Sequence, residues 1–302
     1  MSKILLLGLF ISWFTLQTGP LPPSIGDHPP FPYHLNDPDL AFDMPNELKE
    51  ISGLSLTSDG QMLAAVNDEK GIIFLLDKSN GAIKSRIQFK DAGDYEGIEI
   101  VGNDAWVCKS NGTLYQVKNF AEPNPEVQSH KSFLDKENDL EGLAHDPANN
   151  RLLIACKGHS GYTDDAGDKK AIYAFDLATK TVSKTPAYLL TLSDLEDFLK
   201  TSGEEDANKK LERINAPGSG ELKFSPSGIA IHPKTGDIYI TSARGNTLLV
   251  LDAKGKVQHL ERLKKSVHGQ PEGICFDADG TLFISNEGED GSPGKIFGFY
   301  PK

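Results

Sequence analysis

The tripeptide Glu272-Gly273-Ile274 is the last of five related tripeptides whose spacing decides the fold. The other four, in chain order, are Ser52-Gly53-Leu54, Glu96-Gly97-Ile98, Glu141-Gly142-Leu143 and Ser227-Gly228-Ile229. Successive glycines lie roughly 45 residues apart, except for one step of about twice that length between the third and the fourth. A fixed period in this range is the signature of a repeat architecture.

Each tripeptide opens a unit of short apolar runs that are separated by tight turns. In the fourth unit, a run at residues 229–231 is followed by a turn at 232–237 and by further runs at 238–241 and 247–252. Short β-branched and aromatic runs between Gly, Asn and Pro turns predict β-strands and hairpins. Four strands in a period of about 45 residues are typical of a propeller blade, so the sequence predicts an all-β propeller.

The double step between Gly142 and Gly228 leaves the number of blades open. The tripeptides predict a five-bladed β-propeller, and a six-bladed one is the alternative. We favour five, because residues 188–223 contain the capping pattern Ser193-Asp194-Leu195-Glu196 and then a charged stretch. These features predict a helical insert between blades 3 and 4. We expect this insert to lie over the end of the central channel at which the tripeptides begin.

The fifth unit contains only three strand runs before the chain ends at Lys302. An open blade would leave an unpaired strand edge, which natural sheets avoid. We therefore expect a strand within residues 33–44 to complete the fifth blade. The propeller domain would then cover residues 33–302.

Composition limits the classes of partner and of covalent site. The chain has 302 residues and a net charge of −12, which argues against nucleic acid as a partner. A mean hydropathy of −0.35 fits a soluble protein, which we expect to be a monomer. The three cysteines lie inside apolar runs, where we expect buried core thiols, and their disulfide state stays open: Cys108, Cys156 and Cys275.

The amino terminus resembles an export signal. Lys3 precedes an apolar run at residues 4–14, so residues 1–19 are predicted to be a signal peptide or an N-terminal membrane anchor. No good cleavage site is present, which leaves both alternatives open. Residues 20–32 are rich in proline and are predicted to be a linker. We expect an exported protein that is periplasmic, secreted or held at the membrane by this segment.

The tripeptides carry three glutamates that should converge at one mouth of the channel. Because each tripeptide opens an inner strand, Glu96, Glu141 and Glu272 are expected to ring that mouth. The second strands end beside them, bringing Asp68 and Glu287 to the same place, together with three cationic side chains: Lys109, Lys157 and Arg244. The turns of the opposite mouth are short, and we expect the two histidines in them, at positions 145 and 232, to be solvated.

Converging carboxylates repel one another unless a cation lies between them. Oxygen ligands in a flexible arrangement suit calcium, and no histidine pair accompanies them that would favour zinc or iron. The sequence therefore predicts a Ca²⁺ site with five candidate ligands: Asp68, Glu96, Glu141, Glu272 and Glu287. The alternative is that each glutamate caps its own strand and holds no metal.

Several motifs together resemble the SdiA-regulated family of bacterial propellers, which is distantly similar to NHL-repeat propellers. The matching stretches, from residue 40 onwards, are Glu50-Ile51-Ser52-Gly53-Leu54, Ala65-Val66-Asn67-Asp68-Glu69, Tyr95-Glu96-Gly97-Ile98, Leu140-Glu141-Gly142-Leu143-Ala144-His145-Asp146-Pro147, Pro226-Ser227-Gly228-Ile229-Ala230 and Pro271-Glu272-Gly273-Ile274. The resemblance implies five blades, a calcium site and a segment near the membrane at the amino terminus. It implies no reaction.

These features favour a non-catalytic propeller that binds calcium and engages a ligand or a protein partner at the carboxylate-lined mouth. The alternative is a metal-dependent hydrolase, similar to the gluconolactonase propellers, in which Asn67 and Asn286 would join the ligands. A structural or adhesive role is a third reading.

Overall fold

The computed structural model describes residues 30–162, 165–203, 206–215, 218, 220–289 and 291–302. The predicted signal or anchor at 1–19 and most of the predicted linker at 20–32 lie outside these residues. In the described chain, no helix is long and apolar enough to span a membrane. The described strands form five sheets, which are the blades of a β-propeller, and a six-bladed arrangement is not supported.

The first strand, β1 (Leu40–Asp43), belongs to the last blade, and the next strands follow in order through blades 1 and 2. Blade 1 consists of β2 (Ile51–Leu56), β3 (Met62–Asn67), β4 (Ile72–Asp77) and β5 (Ile83–Gln88). Blade 2 consists of β6 (Tyr95–Val101), β7 (Asp104–Lys109), β8 (Thr113–Lys118) and β9 (Glu126–Lys131). One short 3-10 helix, Asn46–Leu48, precedes β2, and a second one lies at Pro147–Asn149.

Blades 3 to 5 repeat this pattern, with one extra strand in blade 3. Blade 3 consists of β10 (Leu140–Asp146), β11 (Arg151–Cys156), β12 (Lys169–Asp176), β13 (Thr181–Val182) and β14 (Tyr188–Thr191). Blade 4 consists of β15 (Ser225–Ile231), β16 (Ile238–Arg244), β17 (Thr247–Leu251) and β18 (Val257–Arg262). Blade 5 consists of β19 (Pro271–Phe276), β20 (Leu282–Asn286), β21 (Lys295–Phe299) and β1.

The amino-terminal strand closes the ring, as the sequence predicts. β1 pairs antiparallel with β21, from Leu40 opposite Gly298 to Asp43 opposite Lys295. The segment before β1 is also held in place, because the buried His268 ring bonds through Nε2 to the carbonyl of Leu35 at 2.7 Å. The fifth blade is thus completed from the other end of the chain.

The repeated glycines allow the inner strands to approach one another closely around the axis. A Cβ atom built on Gly53 would lie 2.6 Å from the backbone nitrogen of Ile98 in the next blade. A Cβ on Gly97 would lie 2.8 Å from the carbonyl oxygen of Glu141, again in the next blade. Real Cβ contacts are essentially never below 3.0 Å, so only glycine fits at these positions. The glycine of the repeat is therefore a packing requirement of the five-bladed ring.

Five apolar clusters fill the spaces between neighbouring blades, one at each interface. Between blades 2 and 3, the rings of Trp106 and Phe175 pack with centroids 5.2 Å apart. The same cluster contains Cys108 and Cys156, and Cys275 lies in the cluster between blades 5 and 1. All three cysteines are free and buried, as expected from the sequence.

The stretch between blades 3 and 4 differs in detail from the sequence expectation. It begins with a strand, because β14 pairs with the first half of β12. Two helices follow, α1 (Leu192–Thr201) and α2 (Ala207–Ile214). The N-cap of α1 is Thr191, which forms a capping box with Asp194, so the predicted cap at Ser193 is wrong by two positions. Helix α1 contacts β14, α2 and β18, the outermost strand of blade 4.

Candidate functional site

The Ser or Glu of each repeated tripeptide lies at a break in the strand register. Tyr95 pairs with Lys109 and Gly97 with Cys108, so Glu96 is an extra residue without a partner in the ladder. The same shift occurs at Glu141, and shifts also span Ser52, Ser227 and Glu272. Such bulges re-aim a side chain, and here they interrupt every inner strand at the same mouth. The register also confirms that the second strands end beside these residues.

The serines of this ring connect neighbouring blades. The hydroxyl of Ser52 in blade 1 donates to Oε2 of Glu96 in blade 2 at 2.7 Å. The hydroxyl of Ser227 in blade 4 donates to the carbonyl of Pro271 in blade 5 at 2.6 Å. Ser52 and Ser227 thus satisfy polar groups of the next blade, which leaves the glutamates as the chemically distinctive members of the ring.

One cation of the predicted three reaches this ring. Lys157 bonds to Oε1 of Glu141 at 2.9 Å, and Glu141 is only 3% exposed. Burial is the largest single influence and disfavours the ammonium group, but the charge and hydrogen bond of Glu141, together with the charges of Glu272 and Asp139, outweigh it and raise the pKa of Lys157. Lys109 instead lies over the ring of Tyr95, and Arg244 pairs with Glu221 at 2.8 Å. The contacts of these two side chains in the described chain thus involve Tyr95 and Glu221 and not the glutamates of the ring.

Burial shifts the titration of all three glutamates in the same direction. It raises the pKa of Glu96 to about 8, although the hydrogen bond from Ser52 favours the charged form. Burial and then the charge of Glu96 raise the pKa of Glu141 well above its usual range. Burial and then the charge of Glu287 raise the pKa of Glu272 to about 8. The mutual influence of these carboxyls indicates that they share one electrostatic environment.

Three buried oxygens at this mouth have no hydrogen-bond partner in the described chain. They are Oε2 of Glu272, Oδ1 of Asp68 and Oδ1 of Asn286. All three belong to blades 5 and 1, on the side of the ring away from the Lys157–Glu141 pair. Burial and then the charges of Glu50 and Glu69 raise the pKa of Asp68 to about 6. Unsatisfied buried oxygens are rare in folded proteins and call for an explanation.

The remaining predicted ligands have partners of their own. Glu287 accepts a hydrogen bond from Gln270 at 3.0 Å, and burial, followed by the charge of Asp68, raises its pKa. The amide of Asn67 donates to the carbonyl of Glu47 and accepts from the backbone of Lys70, so its role is to hold the chain before β2 and after β3. Within the described ranges, no three His, Cys, Asp or Glu side chains are grouped as metal ligands.

Comparison with known proteins identifies the family. A family model described as SdiA-regulated matches residues 40–160 and 184–289. The chain belongs to the SdiA-regulated family. The match covers all five tripeptides, and it confirms the resemblance that the sequence motifs indicate. No curated protein matches this chain.

Solved structures share the fold at low sequence identity. Glutaminyl cyclase from Myxococcus xanthus is 14% identical with a TM-score of 0.56, and the match covers 88% of this chain and 96% of that one. Virginiamycin B lyase from Staphylococcus aureus is 14% identical with a TM-score of 0.45, covering 86% and 69%. The aldose sugar dehydrogenase from Streptomyces coelicolor is 12% identical with a TM-score of 0.48, covering 88% and 100%. At such identities the likeness concerns the fold alone.

The opposite mouth of this SdiA-regulated propeller contains a feature that the sequence did not reveal. A cavity of about 370 Å³ lies there, and its lining includes Glu99, His145 and His232. His232 is buried, and its ring stacks on Tyr239, so the expectation of a solvated turn residue is wrong. One sequence signal could have pointed to this cavity. The residue that directly follows each repeated tripeptide is a glutamate in blade 2 and a different residue in the other four blades.

Proposed function

We propose that this protein is a calcium-binding propeller that uses its glutamate-lined mouth to hold a ligand or a protein partner. The observation that carries the proposal is the set of three buried, unpartnered oxygens on Glu272, Asp68 and Asn286. A cation with oxygen ligands would satisfy them. Calcium fits this donor set, because it accepts carboxylates, amide carbonyls and waters in flexible geometry.

Charge balance supports the same proposal. Five carboxyls belong to this mouth, and Lys157 is the cation that bonds to one of its glutamates. Two unit charges of the same sign 4 Å apart repel each other by about 4 kcal/mol at an effective dielectric constant of 20. A divalent ion would reverse this repulsion and hold the carboxyls in their charged form.

The proposed ligands divide into two groups. Glu272, Asp68 and Asn286 have free oxygens and would contact the ion directly. Glu287 and Glu96 already accept hydrogen bonds and would contribute by charge or by a second oxygen. Glu141 is paired with Lys157, so it would join the ion only if that ammonium group moved away. When bound, calcium would supply positive charge and open coordination positions for an anionic or carbonyl-bearing ligand.

Two exposed aromatic side chains support a docking role for the same mouth. Phe133 and Tyr162 are 45% and 41% exposed, and both lie in loops that adjoin β10 and β11 at this end of blade 3. Phe133 packs edge-on against Tyr173, which fixes its position. Aromatic residues are enriched in binding interfaces. We propose that the monomeric protein presents them to its partner, and that export through residues 1–19 brings it into a calcium-containing compartment.

The test is thermal unfolding in calcium and in chelator. Calcium at a hundredfold excess over its dissociation constant should stabilise the protein by about 2.7 kcal/mol. Glu272→Gln should abolish most of this difference, and Glu141→Gln should reduce it. A matched control is Glu212→Gln, on the exposed face of α2. Identical unfolding curves in calcium and chelator would remove calcium from the proposal.

A metal-dependent hydrolase is the second candidate. It is favoured by one observation, that Glu272 and Glu96 would exchange protons near neutral pH, as a general acid or base requires. A panel of lactones and esters with calcium, zinc and manganese separates the two functions. Turnover that needs the divalent ion and is lost in Glu272→Gln would establish the enzyme, whereas calcium binding without turnover supports the binding protein.

A further inference from the structure

The cavity at the opposite mouth contains a half-buried carboxyl group without a counter-ion. Glu99 lies on β6 and points to the same cavity as residues from blades 3 and 4. Its Oε2 accepts a hydrogen bond from the Ser55 hydroxyl at 3.2 Å, and the backbone N–H of His145 also favours the charged form and lowers the pKa of this carboxyl. Both donors are neutral. None of the ion pairs of the described chain includes Glu99.

The other blades show that packing does not require this carboxyl. The equivalent positions, directly after the aliphatic residue of each tripeptide, carry Ser55, Ala144, Ala230 and Cys275. A small neutral side chain therefore fills this position in four blades out of five. A charge that is partly removed from water and has no counter-ion is unfavourable, so its presence in one blade points to a role beyond packing.

The remaining walls of the cavity show what it would accept. Asp146 is the second acid in the lining, and Arg151 neutralises it at 2.8 Å. The other lining side chains include the apolar Ile231 and Ile238 and the ring of Tyr188. A volume of about 370 Å³ lies within the range of small-molecule sites. The cavity thus combines one uncompensated carboxyl with apolar and aromatic walls.

A metal ion fits this cavity poorly. The ring nitrogen Nδ1 of His232 already accepts hydrogen bonds from the backbone of Lys234 and Thr235. A single carboxyl facing an apolar chamber instead suits an organic cation, which pairs its charge with the carboxylate and packs its body against the walls.

We propose that this cavity is a second ligand site, independent of calcium, which binds a small organic cation such as an amine, amidine or guanidine through Glu99. The apolar walls select a cation with an apolar or aromatic body. Because the two mouths lie at opposite ends of the inner strands, the site would operate whether or not the glutamate-lined mouth is filled.

The probe is benzamidine, compared with the neutral benzyl alcohol and the anionic benzoate, each titrated calorimetrically into the full chain. We expect benzamidine to bind at least tenfold more tightly than either of the other two. Glu99→Gln should weaken benzamidine binding at least tenfold while preserving the fold, because glutamine can still accept the Ser55 hydrogen bond. Glu212→Gln is the matched exposed control and should leave the affinity unchanged.

A second variant keeps the proposal testable if Glu99→Gln is unstable. Ala148 lines the cavity in an exposed 3-10 turn, so Ala148→Trp should block the chamber without disturbing a blade. Loss of benzamidine binding in both variants supports the site. Equal affinity for the neutral probe, or unchanged affinity in both variants, would overturn it. Binding that is lost only in Glu141→Gln would assign benzamidine to the glutamate-lined mouth and also overturn the proposal.

The pH dependence gives an independent readout. Burial raises the pKa of Glu99 to about 8, so benzamidine affinity should rise between pH 6 and pH 9 as this carboxyl ionises. Burial moves the titration of the neighbouring groups away from pH 8. The pKa values of His145 and His232 are lowered by burial, and that of the Cys275 thiol is raised well above 9.0. The pKa of Asp146 is lowered by its bonds to Asn149 and Arg151, which outweigh its burial. An affinity that is flat across this range would contradict a role for the Glu99 carboxylate.

Discussion

The two mouths of the propeller bury acidic side chains in different ways. At one mouth, bulges in all five inner strands present a ring of serines and glutamates, and three buried oxygens lack partners. At the other mouth, a single glutamate on β6 lies in a cavity of about 370 Å³ between neutral donors. The repeated arrangement suits an inorganic cation that several blades share. The single arrangement suits an organic ligand that one carboxyl holds. The two proposals thus assign chemically distinct sites to the same scaffold.

The largest effect should come from opening the fifth blade, which the amino-terminal strand completes. A chain that begins at Pro45 lacks β1 and the His268–Leu35 contact, and it exposes the edge of β21. We expect this chain to aggregate or to lose cooperative unfolding, because an open strand edge pairs with other molecules. Size-exclusion chromatography and thermal unfolding provide the measurement. Behaviour identical to a chain that begins at residue 30 would show that closure of blade 5 is unimportant.

The second-largest effect should come from the ring of repeated glycines, Gly53 and its counterparts, which pack the inner strands against one another. Gly53→Ala places a Cβ 2.6 Å from the backbone nitrogen of Ile98 and 2.8 Å from the Cα of Gly97. Backbone atoms cannot yield easily, so we expect destabilisation of about 3 kcal/mol in chemical denaturation. The control is Gly269→Ala, whose added Cβ meets only the end of the Glu289 side chain at 3.3 Å. Equal stability of the two variants would contradict the packing role.

The third test uses pH to separate the mouths. Glu272 and Glu99 both have pKa values raised from 4.5 to about 8 by burial, so their protonated forms stabilise the fold. In chelator, stability should be highest near pH 5 and should fall as pH rises through about 8, by about 1 kcal/mol or more for each group. Each of the variants Glu272→Gln and Glu99→Gln should lack the pH dependence of stability that its own carboxyl contributes. Saturating calcium should abolish the contribution of Glu272 and leave that of Glu99. If calcium abolished the whole pH dependence of stability, the two carboxyls would not belong to independent sites.

The smallest expected effect concerns the built-in cation of the glutamate-lined mouth. Lys157→Met removes the partner of Glu141, so we expect a loss of about 1 kcal/mol in chelator, since this lysine is partly exposed. Calcium affinity should rise up to about tenfold, because a competing positive charge is gone. Thermal unfolding in chelator measures the loss of stability, and calorimetric titration measures the calcium affinity. Weaker calcium binding in Lys157→Met would show that the ammonium group supports the site.

The sequence predicts those features that recur in every blade. The glycines recur because each inner strand packs on the next, and this spacing is enough to predict the five blades and the mouth at which the glutamates lie. The missing strand in the last unit likewise predicts the pairing of β1 with β21. Repetition carries this information without any knowledge of side-chain contacts.

Features that occur once are harder to predict. Glu99 is a single exception among small residues, and only the folded structure shows that its position faces a cavity. Asn67 and Asn286 are equivalent in sequence, yet Asn67 holds its own loop while Asn286 keeps an unpartnered oxygen. The position of the α1 N-cap at Thr191 depends on the pairing of β14 with β12, which extends the strand to that residue. These outcomes depend on contacts between distant parts of the chain.

Calcium binding at the glutamate-lined mouth is tested most directly by isothermal titration of the chelator-treated full chain. We expect one calcium ion per chain, loss of most of the affinity in Glu272→Gln, and unchanged affinity in Glu99→Gln. Absence of calcium binding by the wild-type chain, or equal affinity in Glu272→Gln, would contradict a calcium site at this mouth.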